Sequence, residues 1–315
     1  MRGYKIFGIL VTMLLLLSCT DRGRYLEFSG YAQGGLFRVK YNSSGVSLSL
    51  REIRAGVDSI LTQVDTTLSG YNRGSVLSRF NAGEPADTSG MFSELLSLCR
   101  KYYALTEGAF DVGSAPVFDL WGFGFTADSL PSAERLDSAL VESKKWKKLN
   151  FNAIAQGYTC DLVASYLRAC GVRDMLVDIG EIYCSGLNPD GSGWSIGIDN
   201  PVDGNNEPGK DMRGIWNSAG ESCGIVTSGN YRKFYIRDGR KYSHTIDPRT
   251  GYPVTHGLLS ATIVAPTAAE ADAIATYCMV IGPEEAREFI LSADELEACL
   301  ISSDSVWTSP GFTLN

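Results

Sequence analysis

The chain is poor in the residues that most often bind transition metals or nucleic acid. It has two histidines, His244 and His256, in 315 residues, and none of its eight cysteines forms a CxxC pair. A zinc site of clustered thiolates or a thioredoxin-type redox motif is therefore not expected. Cationic residues are outnumbered: 28 Lys and Arg stand against 36 Asp and Glu, for a net charge of −8. An acidic body argues against nucleic acid as a partner and against adhesion to anionic lipid. There is no internal repeat, which excludes a solenoid or propeller array, and no long low-complexity linker.

Long hydrophobic runs are confined to one place. Arg2 and Lys5 precede a nearly continuous apolar stretch from Ile6 to Leu17. It is shorter than the roughly 20 residues that a membrane span needs. It closes with Leu16-Leu17-Ser18-Cys19, which resembles the lipobox of bacterial lipoproteins, where the cysteine is lipidated and becomes the new N-terminus. An ordinary signal peptide with a coincidental cysteine is the alternative. The expected organisation is a signal peptide over 1–18, lipidation at Cys19, a tether over 19–30 and a single large domain of two intimate lobes over 31–315. The protein is then exported and lipid-anchored to a bacterial membrane, on the periplasmic side of the inner membrane. Loss of Arg2 and Lys5 leaves 26 basic residues against 36 acids, about −10. An apolar content of 44% supports a sizeable core. The seven remaining cysteines fall mostly within helical or strand patterns, where free cysteine behaves as a small hydrophobe. An odd number cannot all pair, so at most one or two disulfides are expected.

Leu36 to Tyr41 alternates as a strand does. Val46, Leu50, Ile53, Val57, Ile60, Val64 and Leu68 recur at intervals of three and four and predict an amphipathic helix. Further helices are expected over 75–80, 91–106, 132–143, 158–170, 268–281 and 283–291, several of them stopped by glycine. Strands are expected at Met175 to Ile179, Ile182 to Ser185, Trp194 to Asp199, Cys223 to Val226 and Leu258 to Ala265. Tyr231 to Ile236 and Arg240 to His244 flank Asp238-Gly239, a two-residue hairpin signal. The segment from Asn188 to Asn217, rich in Gly, Asn, Pro and Asp, reads as a surface excursion. Helices and strands come in blocks, which favours α+β over strict alternation.

Two features suggest a site. Tyr242-Ser-His-Thr-Ile-Asp-Pro-Arg-Thr-Gly251 concentrates turn chemistry and polar side chains around His244 and Asp247. Downstream, Asp272 and Thr276 stand one helical turn apart and project from one face. A carboxylate with a hydroxyl is hard-oxygen chemistry, suited to Mg²⁺ more than to zinc; a solvated helix face is the plainer alternative. The turn Asn150-Phe-Asn-Ala-Ile-Ala-Gln-Gly157 feeds a helix N-terminus, whose free N–H groups and positive dipole end suit phosphate. Glycines alternate with aromatics in Ala109-Phe-Asp-Val-Gly and Leu120-Trp-Gly-Phe-Gly, as backbone close to a flat ligand would require, or as a core-packed loop would.

Taken together, Thr227-Ser-Gly-Asn-Tyr, Tyr242 to Gly251, Glu270-Ala-Asp-Ala-Ile-Ala-Thr276 and the glycine-aromatic segments resemble the ApbE family of FAD:protein FMN transferases. The resemblance runs to Ser309-Pro-Gly-Phe and covers nearly all of the chain beyond Cys19. It implies an α+β architecture related to the T-fold. It also implies an Mg²⁺-dependent enzyme that splits FAD at its pyrophosphate, passes FMN to a Thr or Ser hydroxyl of an acceptor protein and releases AMP. The acceptor class it implies is a flavin-carrying subunit of membrane redox pumps. By resemblance, Asp272 and Thr276 offer side-chain oxygens to the metal, with the carbonyls of Ala153 and Ala275. His244 and Asp272 are the candidates for deprotonating the incoming hydroxyl. Flavin-nucleotide contacts carry over to Gln33, Tyr71, Ala109, Phe110, Asp111, Asn150, Gln156 and Ile246, with Tyr71 and Phe110 offering π-faces.

The chain departs from the family pattern at three places. Gln33-Gly34-Gly35 stands where Met-Gly-Thr is usual. Asn150, Asn152, Ala153 and Gln156 replace a stretch that usually carries an acid and a lysine. The stretch between Trp121 and Asn150 is short. These changes keep two alternatives open: an FAD pyrophosphatase that gives FMN and AMP, and a non-catalytic FAD-binding lipoprotein.

Overall fold

The structure is a computed structural model that describes residues 24–124, 131–203, 205, 209–231, 234–237 and 240–315. The signal segment, Cys19 and the Asp238-Gly239 turn lie outside those residues.

In chain order the strands are β1 (Tyr25–Ala32), β2 (Gly35–Asn42), β3 (Met175–Asp178), β4 (Ile182–Ser185), β5 (Ser195–Asp199), β6 (Met212–Asn217), β7 (Cys223–Gly229), β8 (Phe234–Arg237), β9 (Arg240–Ser243), β10 (Leu258–Ala265), β11 (Glu297–Ser302) and β12 (Val306–Thr308). The helices are α1 (Leu50–Leu68), α2 (Val76–Asn81), α3 (Met91–Leu105), α4 (Ala115–Leu120), α5 (Ala133–Ser143), α6 (Ala155–Ala169), α7 (Ala268–Ile281) and α8 (Pro283–Leu291). Eight strands form one sheet in the order β1-β2-β3-β4-β7-β10-β11-β12, and each pairing is antiparallel. Strands β5 and β6 pair separately, as do β8 and β9. The α+β expectation holds.

Because side chains alternate along a strand, each long strand feeds two layers. Val226, Ile263, Ala298 and Leu300 face a core shared with α3, α6 and α7. Their neighbours Ile225, Cys299 and Ile301 face the opposite layer, closed by Trp194, Ile196, Trp216 and Phe312. Nearer β1, Val39, Tyr41, Met175 and Val177 pack with Ile53 and Val57 of α1 and Val163 and Leu167 of α6. Helix α1 starts at Leu50, not Val46, because Ser49 and Glu52 form a reciprocal capping box there.

Helices α6 and α7 meet at unusually close range. A Cβ on Gly157 of α6 would lie 2.3 Å from the Ala268 carbonyl oxygen, and one on Gly224 of β7 would lie 2.3 Å from the Ala268 Cα and N. The start of α7 is thus held between two glycines, one on a helix and one on a strand.

The outer limits of the fold and of the 188–217 segment also differ from expectation. The fold begins at Tyr25, not at residue 31, because β1 pairs with β2 along its full length. The 188–217 excursion contains β6, paired with β5. Among the described residues, no helix is long and apolar enough to cross a membrane.

Candidate active site

A cleft of about 610 Å³ opens where three elements converge. The β1–β2 turn contributes Tyr31, Gln33 and Gly34; the C-terminal end of α1 and the segment after it contribute Asp65, Ser69 and Tyr71; the start of α6 contributes Asn152, Ala155 and Gln156. Three expected residues therefore meet here: Gln33, Tyr71 and Gln156. Tyr31, Asp65 and Asn152 belong to the same wall and were not foreseen.

Gln33 and Gly34 both take positive φ, +51° and +81°, as a two-residue type I′ hairpin requires. Gln33 Nε2 donates to Thr159 Oγ1 at 2.6 Å, which ties the turn to α6. Tyr71 is 72% exposed, so much of its ring surface is open to a flat ligand. Asn152 approaches it with an Nδ2–OH distance of 3.5 Å. Asn150 orders this rim: its Oδ1 accepts from Asn152 N at 2.9 Å, and its own N–H donates to the Val112 carbonyl at 2.8 Å. Gln156 Nε2 donates to the Ile179 carbonyl at 3.2 Å.

Helix α6 begins at Ala155, three residues before the expected start at Tyr158. Its N-cap, Ile154, supplies no side-chain cap. Ala155 and Tyr158 donate to Phe151 and Ile154 carbonyls, but the Gly157 N–H turns aside to Asp272 Oδ2 at 3.1 Å. The Ala153 carbonyl, which would otherwise receive that bond, then has no partner among the described residues, and neither has the Gln156 N–H. An uncapped helix start with a free N–H, facing a cleft, is a ready anion site.

Asp272 is not on a solvated face. It is 4% exposed and makes no ion pair among the described residues. Burial pushes its carboxyl up to about 7, against the opposing pull of the Gly157 N–H, and Asp161 adds a smaller upward push. Asp161 completes a reciprocal arrangement that was not foreseen. Its two oxygens accept from Ala268 N at 2.8 Å and Ala269 N at 2.9 Å, capping α7 from α6, while Asp272 of α7 serves α6. Burial raises Asp161 to about 6. The one sequence signal for Asp161 was an acid set among Cys160, Val163 and Ala164 on the buried side of α6.

These atoms fit a hard cation better than a soft one. A buried carboxylate without a cationic partner, an unpartnered Ala153 carbonyl beside it and the half-buried Thr276 one turn along α7 are all oxygen donors. Ala275 is fully buried within α7. Its carbonyl sits in the helical ladder, so only its second lone pair is available. Among the described residues, no group of three His, Cys, Asp or Glu is placed to hold a metal ion.

Other expected residues serve as framework. Phe110 is 1% exposed and meets Tyr102 edge-on in the core, so the expectation that its ring offers a π-face is corrected. Ala109 is buried as well. Asp111 accepts from Gly113 N at 2.7 Å and caps a short 3-10 turn; burial raises its carboxyl to about 6, with Gly113 and Trp146 as the opposing donors. The side chain of Ile246 is buried among Val117, Trp121, Leu136 and Ala139, which leaves its backbone as the part able to touch a ligand.

The loop that carries His244 is anchored on both sides. Thr245 Oγ1 donates to Asn230 Oδ1, Ile246 bridges to Pro253, and Trp121 Nε1 donates to the Gly251 carbonyl at 2.7 Å. His244 is half-buried, with its ring edge-on to Phe123. Asp247 is held in a bidentate pair by Arg249, at 2.9 and 3.0 Å, and so braces the turn. His256 is structural. Leu258 N–H donates to its Nδ1, so Nε2 carries the proton and donates to the Met279 carbonyl at 3.0 Å, near the end of α7.

The chain matches the ApbE family over residues 29–300. It is 32% identical to the FAD:protein FMN transferase of Vibrio cholerae, across 96% of this chain and 94% of that protein. It is 31% identical to the FAD:protein FMN transferase of Haemophilus influenzae, across 90% and 89%. Among solved structures, the apo form of the Pseudomonas stutzeri flavinyl transferase ApbE aligns with a TM-score of 0.79 at 32% identity, covering 91% of this chain and 95% of that one.

Proposed function

Since the chain belongs to the ApbE family, we propose that it transfers FMN from FAD to a Thr or Ser hydroxyl of an acceptor protein and releases AMP, in a reaction that needs Mg²⁺. The observation that carries this reading is the diversion of the Gly157 N–H to Asp272. It leaves an open carbonyl and a free N–H beside a buried carboxylate, at the edge of a nucleotide-sized cleft.

In the transfer, the acceptor hydroxyl oxygen forms a bond to the FMN phosphorus. The bond from that phosphorus to the bridging oxygen breaks, and AMP leaves with the oxygen. Tyr71 and Gln33 line the part of the cleft suited to a flat ring system. The first turn of α6 offers its dipole end and the Gln156 N–H to the pyrophosphate. Mg²⁺, held by Asp272, Thr276 and the carbonyls of Ala153 and Ala275, would supply charge neutralisation on the phosphate oxygens. The hydroxyl proton passes to His244 or to Asp272, the two candidate bases.

The proposal includes export of the enzyme and its lipidation at Cys19, supported by the N-terminal sequence, and a location on the periplasmic side of a bacterial inner membrane. Its partner there is a flavin-carrying subunit of a membrane redox pump. The test is to incubate the protein with FAD, Mg²⁺ and an acceptor domain and follow acceptor mass and AMP. A mass gain of one FMN with matching AMP is expected. AMP without acceptor labelling would make the protein a pyrophosphatase, and bound FAD without AMP would make it a flavin carrier.

A further inference from the structure

Cys184 of β4 and Cys223 of β7 face each other in register across the strand pair, with their sulfurs 3.8 Å apart. This is the one sulfur–sulfur contact recorded among the described residues. Opposed residues of an antiparallel pair have Cα atoms about 4.5–5.5 Å apart, inside the roughly 4.4–6.8 Å range that a disulfide spans. The strand pair matters to the whole sheet. It joins β1-β2-β3-β4 to β7-β10-β11-β12, through three residue pairs only.

We propose that Cys184 and Cys223 form a reversible disulfide that staples the two halves of the sheet. The attacking group is Cys223, which is 6% exposed where Cys184 is 0% and whose thiol is shifted down by the hydrogen bond with Cys184; Cys184 is shifted up by the same bond. The Cys223 thiolate attacks one sulfur of a small-molecule disulfide such as oxidised glutathione and releases the first glutathione. Cys184 then gives up its proton and attacks the Cys223 sulfur, which expels the second. The two protein thiols lose two protons and two electrons, and the glutathione disulfide takes up both electrons. Closure from 3.8 Å to about 2.05 Å needs side-chain rotation, because the strands already stand at the right separation.

The staple would close a loop between residues 39 positions apart that carries the β5–β6 hairpin. It would also fix the strand on which α7 rests, since Gly224, next to Cys223, lies against the Ala268 backbone. The inference rests on strand geometry and not on the proposed reaction.

The test uses the full chain, treated with oxidised glutathione at mildly alkaline pH, alkylated after denaturation and digested without reduction. A Cys184–Cys223 linked peptide, lighter by two hydrogens than the two thiol peptides together, is expected. Cys99, Cys160, Cys170, Cys278 and Cys299 should be recovered alkylated. Oxidised protein should melt several degrees higher than reduced protein, and dithiothreitol should reverse the shift. Cys184→Ser should lose both signals; if that variant does not fold, comparison of oxidised with reduced wild type still decides. Recovery of both cysteines as free thiols, capture of Cys223 as a lasting glutathione adduct, or linkage of either to another cysteine would overturn the proposal.

Discussion

Asp272 Oδ2 accepts the backbone N–H of Gly157 at 3.1 Å, and that bond sets the chemistry of the site. It takes a donor away from the helical ladder of α6 and opens the Ala153 carbonyl. It also brings the buried Asp272 carboxylate of α7 to the helix start that borders the cleft. The close approach it needs exists because residue 157 has no side chain.

Asp272→Ala removes the one charged group of the proposed Mg²⁺ set and one of the two candidate bases. FMN transfer should fall by at least roughly 100- to 1000-fold, the scale seen when a group that stabilises transition-state charge is lost. FAD affinity should change far less, because the cleft wall is formed by other residues. Fluorescence titration of FAD alongside single-turnover AMP release checks both halves.

The same carboxyl makes a stability prediction of definite sign. Its pKa is raised to about 7 in the folded protein, chiefly by burial, so the folded state holds the proton more tightly than the unfolded chain. The stability this provides is complete below the ordinary carboxylate value of 3.8 and is lost as pH rises through about 7. In metal-free protein, Asp272→Asn should match the wild-type Tm near about pH 4 and exceed it by several degrees near about pH 8. Equal melting temperatures at the higher pH would refute the burial account. Added Mg²⁺ should restore wild-type stability and leave the variant unmoved.

Gly157→Ala tests the helix contact. Its methyl would meet the Ala268 carbonyl at 2.3 Å, a backbone atom that cannot turn aside. Overpacking of this kind costs roughly 1–3 kcal/mol. Tm should fall by several degrees and transfer should drop with it, because α6 and α7 must separate. An unchanged Tm would mean that the helices are not locked at this point.

Two aromatic residues should behave in opposite ways. Tyr71→Ala, at an exposed position, should leave Tm almost unchanged and weaken FAD binding by about tenfold, equivalent to ~1.4 kcal/mol. Phe110→Leu, in the core, should lower Tm and leave FAD affinity intact. Calorimetry and FAD titration on both proteins separate the two roles.

The contrast between those residues shows where sequence reading stops. The amphipathic α8, the almost wholly apolar α7 bounded by Thr267 and Gly282, and buried strands such as β4 and β10 are legible to the residue, because their apolar pattern is set by burial. β1 and β6 were not. In β1 only Phe28 is buried, and in β6 only Trp216, so neither shows alternation. The start of α6 was placed late because Gln156-Gly157 reads as a turn; the glycine serves helix contact instead. Phe110 and Tyr71 are both aromatic residues near glycine, and the sequence does not tell a core ring from a cleft ring. Asp272 and Thr276 were legible as a pair from their spacing. The Ala153 carbonyl was anticipated by resemblance, whereas the reason it is open lies in a contact between residues 115 positions apart.

The most direct measurement of the central claim is AMP release from FAD with acceptor present, titrated with Mg²⁺, in wild type and in Asp272→Ala. The account predicts saturable, chelator-sensitive turnover in the wild type and a flat response near background in the variant at every Mg²⁺ concentration. A variant that keeps the wild-type Mg²⁺ curve would contradict it, because the charge at the start of α6 would then not be what drives the reaction.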